Sequence, residues 1–145
     1  RVFEEILKFC FGIHAGNNLW DLINKWYFYT LQYKHMPHAY LIAGTVTDAD
    51  GKPQSGLIVK AFDVDLLSDD DFLGQGQTAS NGSFTILYRQ AQFVKNVLES
   101  FTEGGPDIVL TIYDQTGKLL HTTKRRGGGH RFEKYDIVLE QEVEE

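Results

Sequence analysis

Apolar and polar positions alternate through most of the chain after about residue 40, whereas a helical spacing dominates before it. Ile42, Gly44 and Val46 alternate with Ala43, Thr45 and Thr47, the period-two pattern of a strand. Asp50-Gly51 closes a turn, with Pro53 and Gly56 behind it, and residues 57–65 read as a second strand. Asn81-Gly82 lies between Thr78 and Phe84, and residues 83–88 follow as a strand with Phe84, Ile86 and Tyr88 (or Leu87) facing the core. Asn-Gly and Asp-Gly between alternating runs signal hairpins, because these residues accept the backbone angles of tight turns. Residues 90–101 carry Phe93, Val94, Val97, Leu98 and Phe101 in a helix-like insert, and Gly104-Gly105-Pro106 resets the chain. Residues 107–113 form a strand with Ile108, Leu110 and Ile112 on one side. Thr116-Gly117 turns it into residues 118–123, and residues 131–139 make the last strand. The pattern predicts a mainly β fold: an antiparallel Greek-key sandwich of about seven strands.

Two α-helices are predicted ahead of the sandwich. Residues 2–11 place Phe3, Ile6, Leu7 and Cys10 at helical spacing, and Gly12 and Gly16 frame a break. Asn17 or Asn18 caps a second helix with Asp21 in its first turn, and Pro37 stops it beyond Lys34. Leu19, Leu22, Trp26, Tyr29 and Tyr33 form one stripe on it, and Trp20, Ile23, Tyr27 and Leu31 another. A helix apolar around most of its circumference is buried around most of it. This predicts an interface at Trp20, Ile23, Trp26, Tyr27 and Tyr29, used for self-association or for another protein. The expected division is a helical segment at 1–38, a sandwich domain at 39–139 and an acidic tail at 140–145.

The chain has 145 residues, 42% of them hydrophobic and 23% charged, the composition of a globular domain. A formal net charge of −6 argues against a nucleic-acid partner, which needs clustered cations. The one basic run, Lys124-Arg125-Arg126, precedes Gly127-Gly128-Gly129 and reads as a mobile loop tip. The single cysteine, Cys10, excludes an internal disulfide and a multi-cysteine zinc site, and its apolar neighbours make it a buried small hydrophobe. No run reaches the length of a membrane-spanning helix.

Gly44-x-Val46-x-Asp48-x-x-Gly51-x-Pro53-x-x-Gly56, followed by Val59, Ala61, Asp63 and Asp65, resembles the opening hairpin of transthyretin-like and carboxypeptidase-regulatory-like sandwich domains. Leu73-Gly74, Thr78, Asn81-Gly82-x-Phe84, Pro106-Asp107 and Asp114-x-x-Gly117 continue the resemblance, which covers about residues 41–139. It implies a prealbumin-type β-sandwich with a structural or recognition role, in an extracellular or cell-surface setting. One branch of that wider family hydrolyses 5-hydroxyisourate with His and Arg on early strands and a Tyr-Arg-Gly-Ser terminus. This first strand offers neither His nor Arg, and the sequence ends Glu142-Val143-Glu144-Glu145, so no catalytic residue carries over.

Asp63, Asp65, Asp69, Asp70 and Asp71 gather oxygen ligands of the kind Ca²⁺ takes, and Asp63, Asp65 and Asp71 resemble the third calcium loop of C2 domains. The upstream acids of such a site are missing, and a solvated acidic loop explains the same residues. His14, His35, His38, His121 and His130 show no zinc spacing and read as linker and surface residues. Asn81-Gly82-Ser83 matches a glycosylation sequon, and a hairpin turn accounts for it equally. No serine sits in a nucleophile motif. The sequence therefore predicts a non-enzymatic structural or interaction module, without cofactor, assembling through its aromatic helices. The alternatives are a Ca²⁺-dependent C2-like binding domain and a transthyretin-related hydrolase.

Overall fold

The alternating runs fold as seven strands in two sheets. The computed structural model describes residues 39–65, 69–93 and 105–140. The strands are β1 (Ala39–Thr47), β2 (Ile58–Asp63), β3 (Asp71–Gln77), β4 (Ser83–Arg89), β5 (Ile108–Tyr113), β6 (Leu119–Thr122) and β7 (Phe132–Val138). One sheet has three strands in the order β4-β1-β7, and the other has four in the order β3-β2-β5-β6. Their inner faces meet in one core. Ile42, Val46, Phe84, Ile86, Tyr135 and Ile137 from the first sheet pack with Val59, Ala61, Leu73, Ile108, Leu110 and Ile112 from the second. Tyr88, rather than Leu87, is the buried member at the end of β4.

Polar side chains set the tight turns, but of the expected hairpins only the Asp114 turn joins paired strands, β5 and β6; the turns after β1 and after β3 carry the chain from one sheet to the other. Asp48 Oδ1 accepts the amides of Asp50 and Lys52, each at 2.9 Å. Asp114 Oδ1 does the same for Thr116 at 2.8 Å and Lys118 at 3.0 Å. Gly51 and Gly117 follow in the left-handed region, at φ 83° and 90°, where a side chain is strained. Asn81 Oδ1 accepts the Ser83 amide at 3.1 Å and the Ser83 hydroxyl at 2.5 Å, so the sequon residues build the β3–β4 turn.

One expectation is corrected by the topology. The sandwich is not wholly antiparallel, because β7 pairs parallel with β1, from Leu41 opposite Phe132 to Thr47 opposite Val138. The cause lies in the connection before β7. β6 is the edge of the four-stranded sheet, so the chain crosses to the other sheet and enters it alongside β1. The helix-like insert is described only at its start, where Gln90–Gln92 make a single 3-10 turn. Gln92 Oε1 accepts the Arg89 amide at 2.8 Å, and Phe93 seals the core behind it. The two expected N-terminal helices, Cys10, and the interface at Trp20, Ile23, Trp26, Tyr27 and Tyr29 lie outside the described residues. So does most of the acidic tail.

The two flanks of the sandwich differ. At the β3–β4 flank the sheets approach closely: a Cβ on Gly76 would sit 2.5 Å from the Thr85 carbonyl, and one on Gly74 would sit 3.0 Å from Ile86. The opposite flank lies between β6 and β7, the free edges of the two sheets, and it is open.

Candidate ligand-binding cleft

A cleft of about 450 Å³ runs along the open flank. One wall is the outgoing β6 segment, His121 to Arg126, and the other is Tyr135 to Val138 of β7. Period-two alternation builds the second wall. Tyr135 and Ile137 turn toward the core, while Asp136 and Val138 face outward. The first wall ends on an isolated bridge between Arg126 and Ile108, with both backbone bonds at 2.9 Å. That bridge fixes the direction of Lys124-Arg125-Arg126.

The basic run is therefore not the free loop tip the sequence suggests. Arg125 donates to Asp107 Oδ2, and Asp107 Oδ1 accepts the Gly128 amide at 3.0 Å. Arg126 donates to Glu133 Oε2 at 3.2 Å and to the Lys134 carbonyl at 2.9 Å, while Glu133 Oε1 accepts the His130 amide at 2.8 Å. Two carboxylates thus each hold one guanidinium and one amide of the glycine loop. The Arg126 guanidinium also lies over the Tyr135 ring, 3.8 Å from its centroid. Among the described residues no carboxylate pairs with Lys124. The arginine-to-acid separations are 18 and 7 residues. Only the buried alternate position of Glu133 in a strand pattern could have pointed to its partner.

The Arg125 hydrogen bond, reinforced by the Gly128 amide, holds the Asp107 carboxyl below the usual carboxylate range. A depressed folded pKa stabilises the fold above the unfolded value near 4, and the contribution is lost as pH falls through the folded value. Acid titration of wild type against Asp107→Asn should therefore show two stability curves converging below about pH 4. Curves that stay parallel would remove Asp107 as a stabilising charge.

Two tyrosines carry polar groups into the otherwise apolar interior. The hydroxyls of Tyr88 and Tyr135 are buried without a hydrogen-bond partner. Burial raises both phenols above their ordinary value, and Tyr40, Glu133, Tyr135 and Asp63 push Tyr88 further up by charge. Tyr40 stacks on Tyr88 with centroids 5.3 Å apart, and Phe93 meets both rings edge-on. An unpaired buried hydroxyl costs roughly 1–3 kcal/mol. Tyr88→Phe should raise the urea midpoint by a stability gain of about 1 kcal/mol. A clear loss of stability would mean that water or a ligand satisfies this oxygen.

Of the acidic residues singled out for Ca²⁺, Asp63 has a place in the sheet framework. Asp63 Oδ1 accepts the Asp107 amide at 2.8 Å, joining β2 to the start of β5, and Asp63 is the ladder partner of Asp71. Asp69 and Asp70 are exposed, as is Asp65. Among the described residues no three His, Cys, Asp or Glu side chains gather to hold a metal. His121 lies in the cleft wall and His130 at its loop, whereas His14, His35 and His38 lie outside the described residues. No helix among the described residues is long and apolar enough to cross a membrane.

No protein-family model matches the chain, and no curated protein matches it. Solved structures do. A 9R-lipoxygenase from Cyanothece PCC8801 is 20% identical with a TM-score of 0.49, over 75% of this chain and 17% of that one. Chlorocatechol 1,2-dioxygenase from Pseudomonas putida is 12% identical with a TM-score of 0.44, over 75% of this chain and 63% of that one. The dioxygenase domain of a carbohydrate-binding fusion protein from Streptomyces sp. SirexAA-E is 16% identical with a TM-score of 0.44, over 71% of this chain and 80% of that one. The chain thus spans less than two thirds of the lipoxygenase and of the chlorocatechol dioxygenase. At such identities the likeness concerns the two-sheet fold and leaves substrate and mechanism open.

The expectation of a non-enzymatic structural module, and with it the expectation that the chain is no enzyme, finds no support among these matches. The matching structures are a lipoxygenase and dioxygenases, all enzymes by name. The physical reason is that a sandwich with an open flank offers a cleft as well as a scaffold.

Proposed function

We propose that the domain holds a small organic anion in the cleft between β6 and β7. The observation that carries this reading is Lys124, Arg125 and Arg126 lining one wall of a cleft in a chain of formal net charge −6. The cleft volume of about 450 Å³ falls within the range of small-molecule sites. Each guanidinium has five N–H donors, more than its carboxylate partner accepts, so donors remain for an occupant. Tyr135, Ile137 and Val138 supply an apolar wall, and Asp136 sets a negative charge across from the cations, which favours a small anion over a polyanion. Within an enzyme such a cleft holds the substrate. The resemblance to transthyretin-like domains over residues 41–139 remains part of this reading, supported by the Asp48 and Asp114 turns.

The test is a titration of the whole chain with succinate, and with neutral succinamide as control, followed by amide NMR. Saturable shifts confined to residues 121–126 and 135–138 are expected with succinate alone, and Lys124→Glu should weaken them about tenfold, or about 1.4 kcal/mol. New ligand resonances on standing would report turnover. Equal shifts with succinamide, or none that saturate, would refute the reading.

A further inference from the structure

The arginines of the cleft already carry carboxylates, and each carboxylate has a second duty. Asp107 links Arg125 to the Gly128 amide, and Glu133 links Arg126 to the His130 amide. Between these amides, Gly129 donates instead to the Pro106 carbonyl at 2.8 Å and packs against Pro106 and Ile108. The loop is thus held at three successive points, two of which depend on the acids that neutralise the cleft. We propose that the cleft selects carboxylate ligands by exchange: the ligand carboxylate takes Arg125 and Arg126 from Asp107 and Glu133, and the glycine loop loosens at Gly128 and His130.

The proposal rests on the anion-binding reading above and deepens it. Internal partners show what chemistry a site accepts. Each guanidinium bonds only one oxygen of its acid, because the other oxygen holds a loop amide, so a ligand carboxylate that offers both oxygens in one plane is a better match than its internal partner or a tetrahedral anion. Arg125 and Arg126, which line the cleft, have 43% of their side chains exposed, against 27% for Asp107 and 11% for Glu133 behind them. A ligand therefore reaches the arginines from solvent without displacing the acids themselves. Once its guanidinium turns to the ligand, an acid keeps its amide bond but loses the charge that compensated it. A carboxylate in that position draws in water or shifts, and the bond to the loop weakens.

Amide hydrogen exchange of the whole chain, with and without saturating succinate, tests the exchange directly. Gly128 and His130 should exchange about fivefold faster when succinate is bound, with Gly129 unchanged as the internal control. Inorganic phosphate at equal occupancy should produce less than half that acceleration. Asp107→Asn and Glu133→Gln remove the competing charge and keep an oxygen acceptor, so each should bind succinate about threefold more tightly. Tighter binding is the opposite of what loss of a merely positioning acid would give. Saturable binding that leaves Gly128 and His130 exchange unchanged, or weaker binding by both variants, overturns the coupling while leaving the cleft reading intact. Absence of saturable succinate binding overturns both.

Discussion

Ile112→Ala should lower the stability of the domain by about 3 kcal/mol. Ile112 is fully buried near the end of β5, paired with Val59 on one side and His121 on the other. Its side chain stands between the sheets among Leu110, Val59 and the inner residues of the first sheet. Truncation removes three carbons from the interior and leaves a cavity that interlocked strands cannot collapse to fill. For a domain of this size the melting temperature should fall by about 15 °C in a calorimetric scan. A loss under about 1 kcal/mol would mean that the two sheets are less tightly packed than described.

Gly44→Ala is the second large effect, and its cause is overpacking. Gly44 lies in the central strand of the three-stranded sheet, opposite Phe84 on β4 and Tyr135 on β7. A Cβ built there would sit 2.9 Å from the Phe84 ring and still nearer the Tyr135 carbonyl. Backbone carbonyls in a paired strand yield little, and Phe84 is itself fully packed. A single added methyl should cost about 2–3 kcal/mol, where alanine elsewhere in a strand would be mildly favourable. Because Gly44 adjoins Tyr135, the same variant should also shift the amide resonances of the β7 cleft wall. Wild-type-like stability in a denaturant titration would show that β1 and β7 can move apart.

How much of this was legible in the chain depends on the range of the interaction. Local chemistry was readable: Asp48, Asp114 and Asn81 announce turns through bonds two to four residues away. The inner face of β5 was readable too, since Ile108, Leu110 and Ile112 alternate strictly. The parallel seating of β7 was not, because nothing in residues 131–139 says which sheet they join. The cleft was hidden for a related reason. Lys124-Arg125-Arg126 beside three glycines has the composition of a loose loop, and its rigidity comes from Asp107 and Glu133, which no local pattern ties to it. The non-enzymatic expectation drew on strand count and on missing motifs, neither of which describes the space between two sheet edges.

The parallel seating of β1 against β7 also determines how the domain would respond to tension along the chain. The chain enters the domain at the start of β1 and leaves it at the end of β7, and because the strands run the same way these points lie at opposite ends of the pair. A pull between them slides the central strand β1 and the edge strand β7 along each other. Their ladder, closed at its ends by Leu41 donating to Arg131 and Leu139 donating to Thr47, each at 2.8 Å, is loaded all at once rather than unzipped bond by bond. Set in series within a stretched polypeptide, this sandwich would be a mechanically stiff link.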